Sequence, residues 1–228
     1  MLIPVFRLDT PADLGLKAIA FTLHGLNNRT ASAGLQHRLH ELRADFDAER
    51  CLTLQQGFSA LRQQVGRRPG ALPPSPQALL ELYQARGRLP SVSPLIDLAS
   101  QWSLNSGLSI SAHDLKHLRL PVTLGMSRGG ERFQMRHNLP PVILPAGEYV
   151  YFDGRGQVLS RMESLQSAAT AVHGDTRSAL LIIQGHAQTD SDELYAVAEG
   201  LKADLQEYCC GSLLRPPQAP FARIAVGQ

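Results

Sequence analysis

Two histidines four residues apart, His113 and His117, sit in the stretch SISAHDLKHL. On a helix that spacing sets both imidazoles on one face, as in the zinc-binding HExxH motif. HDLKH lacks the glutamate that follows the first histidine of that motif. No companion motif offers the third protein ligand that a catalytic zinc needs. The expectation is therefore no metal and no cofactor. His37 and His40 read as a solvated or phosphate-facing surface. Nucleophile motifs are missing too. There is no GxSxG elbow, no recognisable cysteine signature and no GxxxxGK[ST] phosphate loop. GRGQV has no helix after it, so it reads as a hairpin turn and not as a dinucleotide fingerprint. The residues alone lead to an α+β domain with a polar segment at 109–118.

The elements around that segment follow from period. IPVFRL and LKAIAFTL read as strands. From Leu35 the apolar residues recur at helical spacing: Leu35, Leu39, Leu42 and Phe46, then Phe58, Leu61 and Val65. GRRPGALPPSP is a connector. Ser75-Pro76 and Ser93-Pro94 look like helix starts, with serine at the N-cap and proline at the first helical position. Residues 35–106 are thus mostly helical. Beyond residue 118, VTLGM, ERFQM, EYVYF and QVLSR are short strands bounded by turn dipeptides. ALLIIQG reads as a strand buried on both faces. A last helix begins near Asp190, with Leu194, Val197, Leu201 and Leu205 as its apolar stripe. The predicted class is α+β: a helical N-terminal part, a mostly antiparallel sheet and a closing C-terminal helix.

The chain has 228 residues, 43% hydrophobic and 18% charged, ordinary values for a globular protein with a real core. No apolar run is long enough to span a membrane, and the first residues do not pattern as a signal peptide. The three cysteines, Cys51, Cys209 and Cys210, are poorly spaced for a disulfide framework, which points to a reducing cytoplasm. Net charge is only +2, yet just three of 22 basic residues are lysine. Residues 1–90 carry 11 basic and 7 acidic side chains. An arginine-rich half suits phosphate docking; high-GC codon usage would give the same bias. One domain is expected over 1–228: a basic N-terminal part at 1–90, a core sheet and pocket at 91–210, and a tail at 211–228.

In order along the chain, GFSALRQQVGRRPGALPPSPQALLELYQARGRLPSVSPLIDLASQWSL, LSISAHDL, RGGERF, LPAGEYVYFDGRGQVLSR, SAATAVHGDT and ALLIIQG resemble the B3/B4 editing domain of the bacterial phenylalanyl-tRNA synthetase β subunit, in its freestanding form. The resemblance implies a trans-editing deacylase. Such an enzyme hydrolyses the ester of a mischarged aminoacyl-tRNA, and one activity in the family removes canavanine from arginine tRNA. In this comparison Asp114 matches the family aspartate and caps a short helix. His113 takes an aromatic position and becomes a pocket-wall residue, and Ser111 replaces a family histidine. Ala168 falls where the synthetase has the glutamate that reads a tyrosine hydroxyl, so tyrosine is not the expected substrate.

Hydrolysis of an activated ester needs an oriented water and a stabilised oxyanion. Ser111, Ser167 and Thr170 are the candidates for those contacts; as plain turn hydroxyls they would look the same. Glu163, with Gln166 beside it and Asp97 as a second acid, is the candidate reader of the side chain. Arg62, Arg67, Arg68, Arg86 and Arg88 are the candidate tRNA contacts. The expected partner is a mischarged aminoacyl-tRNA, with no membrane and no DNA. Without turnover, the same surface would make a tRNA-binding module.

Overall fold

The computed structural model describes residues 4–67 and 72–211. Two short strands open the chain, β1 (Phe6–Asp9) and β2 (Lys17–His24). Four helices follow: α1 (Ala33–Ala44), α2 (Ala48–Gln64), α3 (Ser75–Arg86) and α4 (Pro94–Ser106). Then come strands β3 (Ser109–Asp114), β4 (Val122–Arg128), β5 (Arg132–Phe133), β6 (Val142–Ile143), β7 (Ala146–Phe152), β8 (Val158–Arg161), β9 (Leu165–Gln166) and β10 (Ser178–Gly185). Helix α5 (Ser191–Tyr208) closes the described chain. The class is α+β, as the periodicities predict. The predicted tail lies outside the described residues from 212 onward.

The strands form three sheets where the sequence suggests one. Five strands run β1-β4-β7-β8-β9, three run β2-β10-β3, and β5 pairs β6. All pairings are antiparallel except β1 with β4. A division at residue 90 cuts across this arrangement. Strand β2 pairs along the whole of β10, from Lys17 opposite Gly185 to His24 opposite Ser178.

Strand β10 lies at the centre and is buried on both faces. Its period-2 alternation sends Ala179, Leu181 and Ile183 into one core with Leu39, Leu98 and Leu201 from the helices. Leu180 and Ile182 go into a second core with Leu124, Tyr149, Leu159 and Phe58. The protein is therefore layered: helices α1, α4 and α5, then the three-stranded sheet, then the five-stranded sheet.

The polar segment 109–114 is a strand and not a helix. Ser109, Ile110, Ser111 and Ala112 alternate as an edge strand does, and β3 pairs β10 with Ser111 opposite Ile182 and His113 opposite Leu180. Asp114 caps the 3-10 turn Leu115–His117 through the amide of Lys116, as expected, and its other oxygen accepts from Thr176. His113 is fully buried in the strand, while His117 is exposed on the turn. The two do not share a helix face. No helix among the described residues is long and apolar enough to cross a membrane.

Helix α2 reaches the sheets through a glycine. A Cβ on Gly57 would lie 2.0 Å from Nδ1 of His186, just past β10. That ring is fixed by an edge-on contact with Phe58 and a 2.7 Å bond between Nε2 and the carbonyl of Leu54. Gly57→Ala would gain about 1 kcal/mol of helix propensity at an open site. Here urea denaturation should show a net loss of about 1–3 kcal/mol, because the helix must back away from His186. Equal or raised stability would show that the contact is not close in solution.

Candidate functional site

The polar residues of β3, β8 and β9 meet the start of α3 around a pocket of about 80 Å³. Ser109, Ile110 and Ser111 line it from β3, Ser160 and Met162 from β8 and its end, and Leu165 and Gln166 from β9. Ser75, Tyr151, Glu163 and Ser164 complete the wall. Five serines thus line a space about half the volume of a cavity that holds a benzene ring. The pocket suits a small or slender polar group. In this conformation it does not suit an aromatic side chain.

Behind the wall lies a buried ion pair. Arg62, on the last turn of α2, donates from Nη2 to Glu163 Oε1 at 2.5 Å and to Ser164 Oγ at 3.2 Å. The two side chains are 4% and 0% exposed. Tyr149 donates its hydroxyl to the other oxygen of Glu163. Burial raises the Glu163 carboxyl above its ordinary value, and the Arg62 charge and the Tyr149 hydroxyl oppose that rise. Burial also holds the phenols of Tyr149 and Tyr151 well above theirs, so both stay protonated donors. Met162, just before Glu163, is the one non-glycine residue described with positive φ, at +50°. This left-handed turn carries the chain out of β8 and brings Glu163 inward, at a cost of order 1–3 kcal/mol.

Helix α3 is clasped to the same place. Ser75 does not cap it; the cap position falls on Pro74. The Ser75 hydroxyl instead meets that of Ser109 at 2.8 Å, and its amide donates to the Glu163 carbonyl at 3.1 Å.

His113 organises a second layer. Gln166 Nε2 donates to the carbonyl of Ala112 and lies 3.3 Å from His113 Nδ1. Thr170 Oγ1 is 3.0 Å from that same nitrogen. The Gln166 amide nitrogen can only donate, so Nδ1 accepts and the ring proton sits on Nε2, which faces Ser160 Oγ at 3.4 Å. Burial lowers the His113 pKa to about 3, so the ring is neutral. From behind the pocket surface it positions Ser160 and Gln166.

Several sequence candidates lie elsewhere. Ser111, Glu163 and Gln166 line the pocket. Ser167 does not: its hydroxyl caps the 3-10 turn Ala168–Thr170. Thr170 is fully buried on His113. Ala168 donates its amide to Gln134 O at 3.0 Å and is not part of the wall. Asp97 holds the start of α4, accepting from the amides of Val92 and Ser93 and from the Ser91 hydroxyl. Its carboxylate supplies the local capping expected of Ser93, and Asn28 caps Leu95 from a distance.

The arginine candidates divide in the same way. Arg62 is buried beneath the pocket, so it is not a surface phosphate contact. Arg67 pairs with the buried Glu148, which also takes both guanidinium bonds of Arg161 at 2.7 Å. Arg86 and Arg88 are exposed, and Arg68 lies outside the described residues.

Sequence reading misses Ser75, Ser109, Ser160, Ser164 and Tyr151. A signal is present for one of them: read as a strand, SISAHD puts Ser109 two residues from Ser111 on one edge. Among the described residues no group of three or more His, Cys, Asp or Glu is placed to hold a metal.

A family model for the B3/4 domain matches residues 60–211. No curated protein matches the chain in sequence. Among solved structures, the chain is similar to an N-terminal fragment of the phenylalanyl-tRNA synthetase β-subunit from Pyrococcus horikoshii, with a TM-score of 0.47 and 11% identity. That similarity covers 89% of this chain and 48% of the fragment, so the chain spans about half of its length.

Two measurements test the site's construction. Glu163→Gln should cost about 3–5 kcal/mol, because it strands the Arg62 charge in the interior. Arg62→Met in the same protein should recover part of that loss, and simple additivity in the double-mutant cycle would show that the pair is not formed. The second concerns pH. The unfolded histidine takes a proton near pH 6.5 and the folded His113 resists to about 3. Its contribution is therefore complete above pH 6.5 and declines as pH falls, by about 2 kcal/mol between pH 7 and 5. His113→Asn should be less stable at pH 7 but lose less over that interval; an identical decline would remove His113 as the source.

Proposed function

Because the chain belongs to the B3/4 domain family, we propose that it is an aminoacyl-tRNA deacylase, hydrolysing the ester of a mischarged tRNA. The observation that supports this reading is the serine-lined pocket at 109–111 and 160–166, which lies within the family match. An aminoacyl ester is already activated. Its hydrolysis asks for a bound acyl group, a positioned water and donors for the oxyanion, and hydroxyls can serve each need. Ser160 Oγ lies 3.4 Å from His113 Nε2, and with the ring proton on that nitrogen Ser160 accepts and keeps its own proton to donate. Ser111 and Gln166 stand beside it on β3 and β9. These three are the groups we assign to the reacting end, with Ser160 and Gln166 held in place by His113.

Canavanyl-tRNA for arginine is the substrate proposed within this class. The guanidino-oxy group is a weak base, largely neutral near pH 7, and rich in donors. Gln166 offers an amide oxygen at the wall, and the Glu163 carboxylate lies behind it, fully buried. Glu163 is not a free anion, since Arg62 balances it at 2.5 Å. A neutral donor group can dock beside this balanced pair, whereas a cationic arginyl group would meet the buried Arg62 charge behind it. Selection by protonation state is then built into the pocket floor.

A panel of mischarged tRNAs, with canavanyl- and arginyl-tRNA among them, tests both levels. The protein should hydrolyse canavanyl-tRNA and spare arginyl-tRNA. Ser160→Ala and Ser111→Ala should each lower kcat/KM by roughly tenfold to a hundredfold, the equivalent of about 1–3 kcal/mol. Hydrolysis of a different ester alone would keep the class and remove this substrate. Tight tRNA binding with no hydrolysis of any ester would make the protein a tRNA-binding module instead, a reading that Ser111 in place of the family histidine favours.

A further inference from the structure

The segment between β4 and β7 stands out from the rest of the surface. Six large apolar side chains are exposed among the described residues, and four of them, Met135, Leu139, Val142 and Ile143, lie here. Arg128, Arg132, Arg136 and His137 are exposed among them. Arg132 and Arg136 make no ion pair with any described residue. The only acid, Glu131, is engaged by the backbone: its carboxylate accepts from the amides of Arg128 and Gly129 at 2.7 and 2.9 Å. The surface is therefore apolar and basic together, with its single negative charge already satisfied.

It is also held in shape. Arg132 pairs with Ile143 and Phe133 with Val142 across the hairpin. Gln134 Nε2 ties the tip by donating to the carbonyls of His137 and Leu139. The inner side chains Phe133 and Leu144 pack into a small core with Val150 and Val158, and Leu165 packs against that core. Leu165 also lines the pocket. The Gln134 carbonyl accepts from the Ala168 amide at 3.0 Å, two residues past β9. The hairpin thus flanks the pocket wall.

We propose that the hairpin at 128–144 docks the single-stranded 3′ end of the RNA whose terminal ester enters the pocket. This rests on the deacylase reading for the identity of the RNA. A single strand offers phosphates and unstacked bases together. Arginine meets phosphate and stacks on bases with its planar guanidinium, and apolar side chains cover base faces. Exposed methionine, leucine, valine and isoleucine between arginines match that pair of demands. A duplex offers no free base faces to cover, and a purely electrostatic phosphate site has no use for four exposed apolar side chains.

The test measures binding of uncharged tRNA, and of a short single-stranded RNA ending in CCA, across a range of salt. Arg132→Ala with Arg136→Ala should weaken both roughly tenfold. It should also flatten the plot of log affinity against log salt by about 1.4, because two phosphates of a single strand are no longer neutralised. Ile143→Asp should weaken the short RNA further. Arg7→Ala with Arg43→Ala removes as much exposed charge elsewhere and should leave the slope near wild type. These side chains are exposed, and circular dichroism checks that each variant folds. Unchanged affinity and slope in the Arg132/Arg136 variant overturns the proposal. So does a concentration-dependent dimer that Ile143→Asp makes monomeric while RNA binding persists, since the apolar patch would then be a self-association surface. RNA binding that fails in the hairpin variant, in a protein that hydrolyses no ester, overturns the deacylase reading and keeps the hairpin. A wild type that binds no RNA overturns both.

Discussion

The contact between Arg62 and Glu163 is the constraint on which the site depends. It joins the last turn of α2 to the segment after β8, 101 residues later in the chain, and both ends are out of water. An ion so buried is tolerated only when its partner is in place. Much of the local design serves that condition. Gly57 lets α2 approach the sheets. The left-handed Met162 turns Glu163 inward, and Tyr149 takes the remaining oxygen. Ser75 then binds the Glu163 backbone and draws in α3. The pocket is what remains between these elements once the charges are settled.

The consequence for chemistry is a polar but nearly charge-balanced pocket. Its floor is a neutralised pair, its walls are hydroxyls and its back is a histidine that stays neutral near neutral pH. Such a site offers directed hydrogen bonds rather than a strong base or nucleophile. Positive charge is kept outside. The basic, apolar hairpin stands on the other side of Leu165, which packs against the hairpin's core and lines the pocket. Exposed positive charge and the polar pocket thus lie on adjacent but separate surfaces.

The sequence speaks clearly where local rules decide. Helical period locates α1 to α5, the last helix begins beside Asp190 and Asp114 caps as expected, and ALLIIQG is legible as a doubly buried strand. It is ambiguous where tertiary contacts override local preference. SISAHD fits either period over six residues, and only pairing with β10 makes it a strand. Ser75 and Ser93 carry strong cap signals, yet a hydroxyl partner on β3 takes the first, and Asp97 and Asn28 take over the second's work. Arg62 looks like one more surface arginine because nothing local reveals a carboxylate a hundred residues away. For the same reason Glu163 reads as an unpaired acid. The number of sheets escapes the sequence because short strands do not announce their partners.

The pairing of β2 with β10 has a consequence for how the protein is made. LKAIAFTL is nearly all buried in the finished molecule, and within its sheet it bonds to β10 alone. His24 and Ser178, at one end of that ladder, are 154 positions apart. At roughly 5–20 residues per second, the ribosome leaves this apolar strand without its partner for about 8–30 s. During that interval α1 to α4 can form from local contacts, but the strand edge stays open to other nascent chains. Yield in the cell should therefore depend on chaperone capacity during translation more than on the stability of the folded protein.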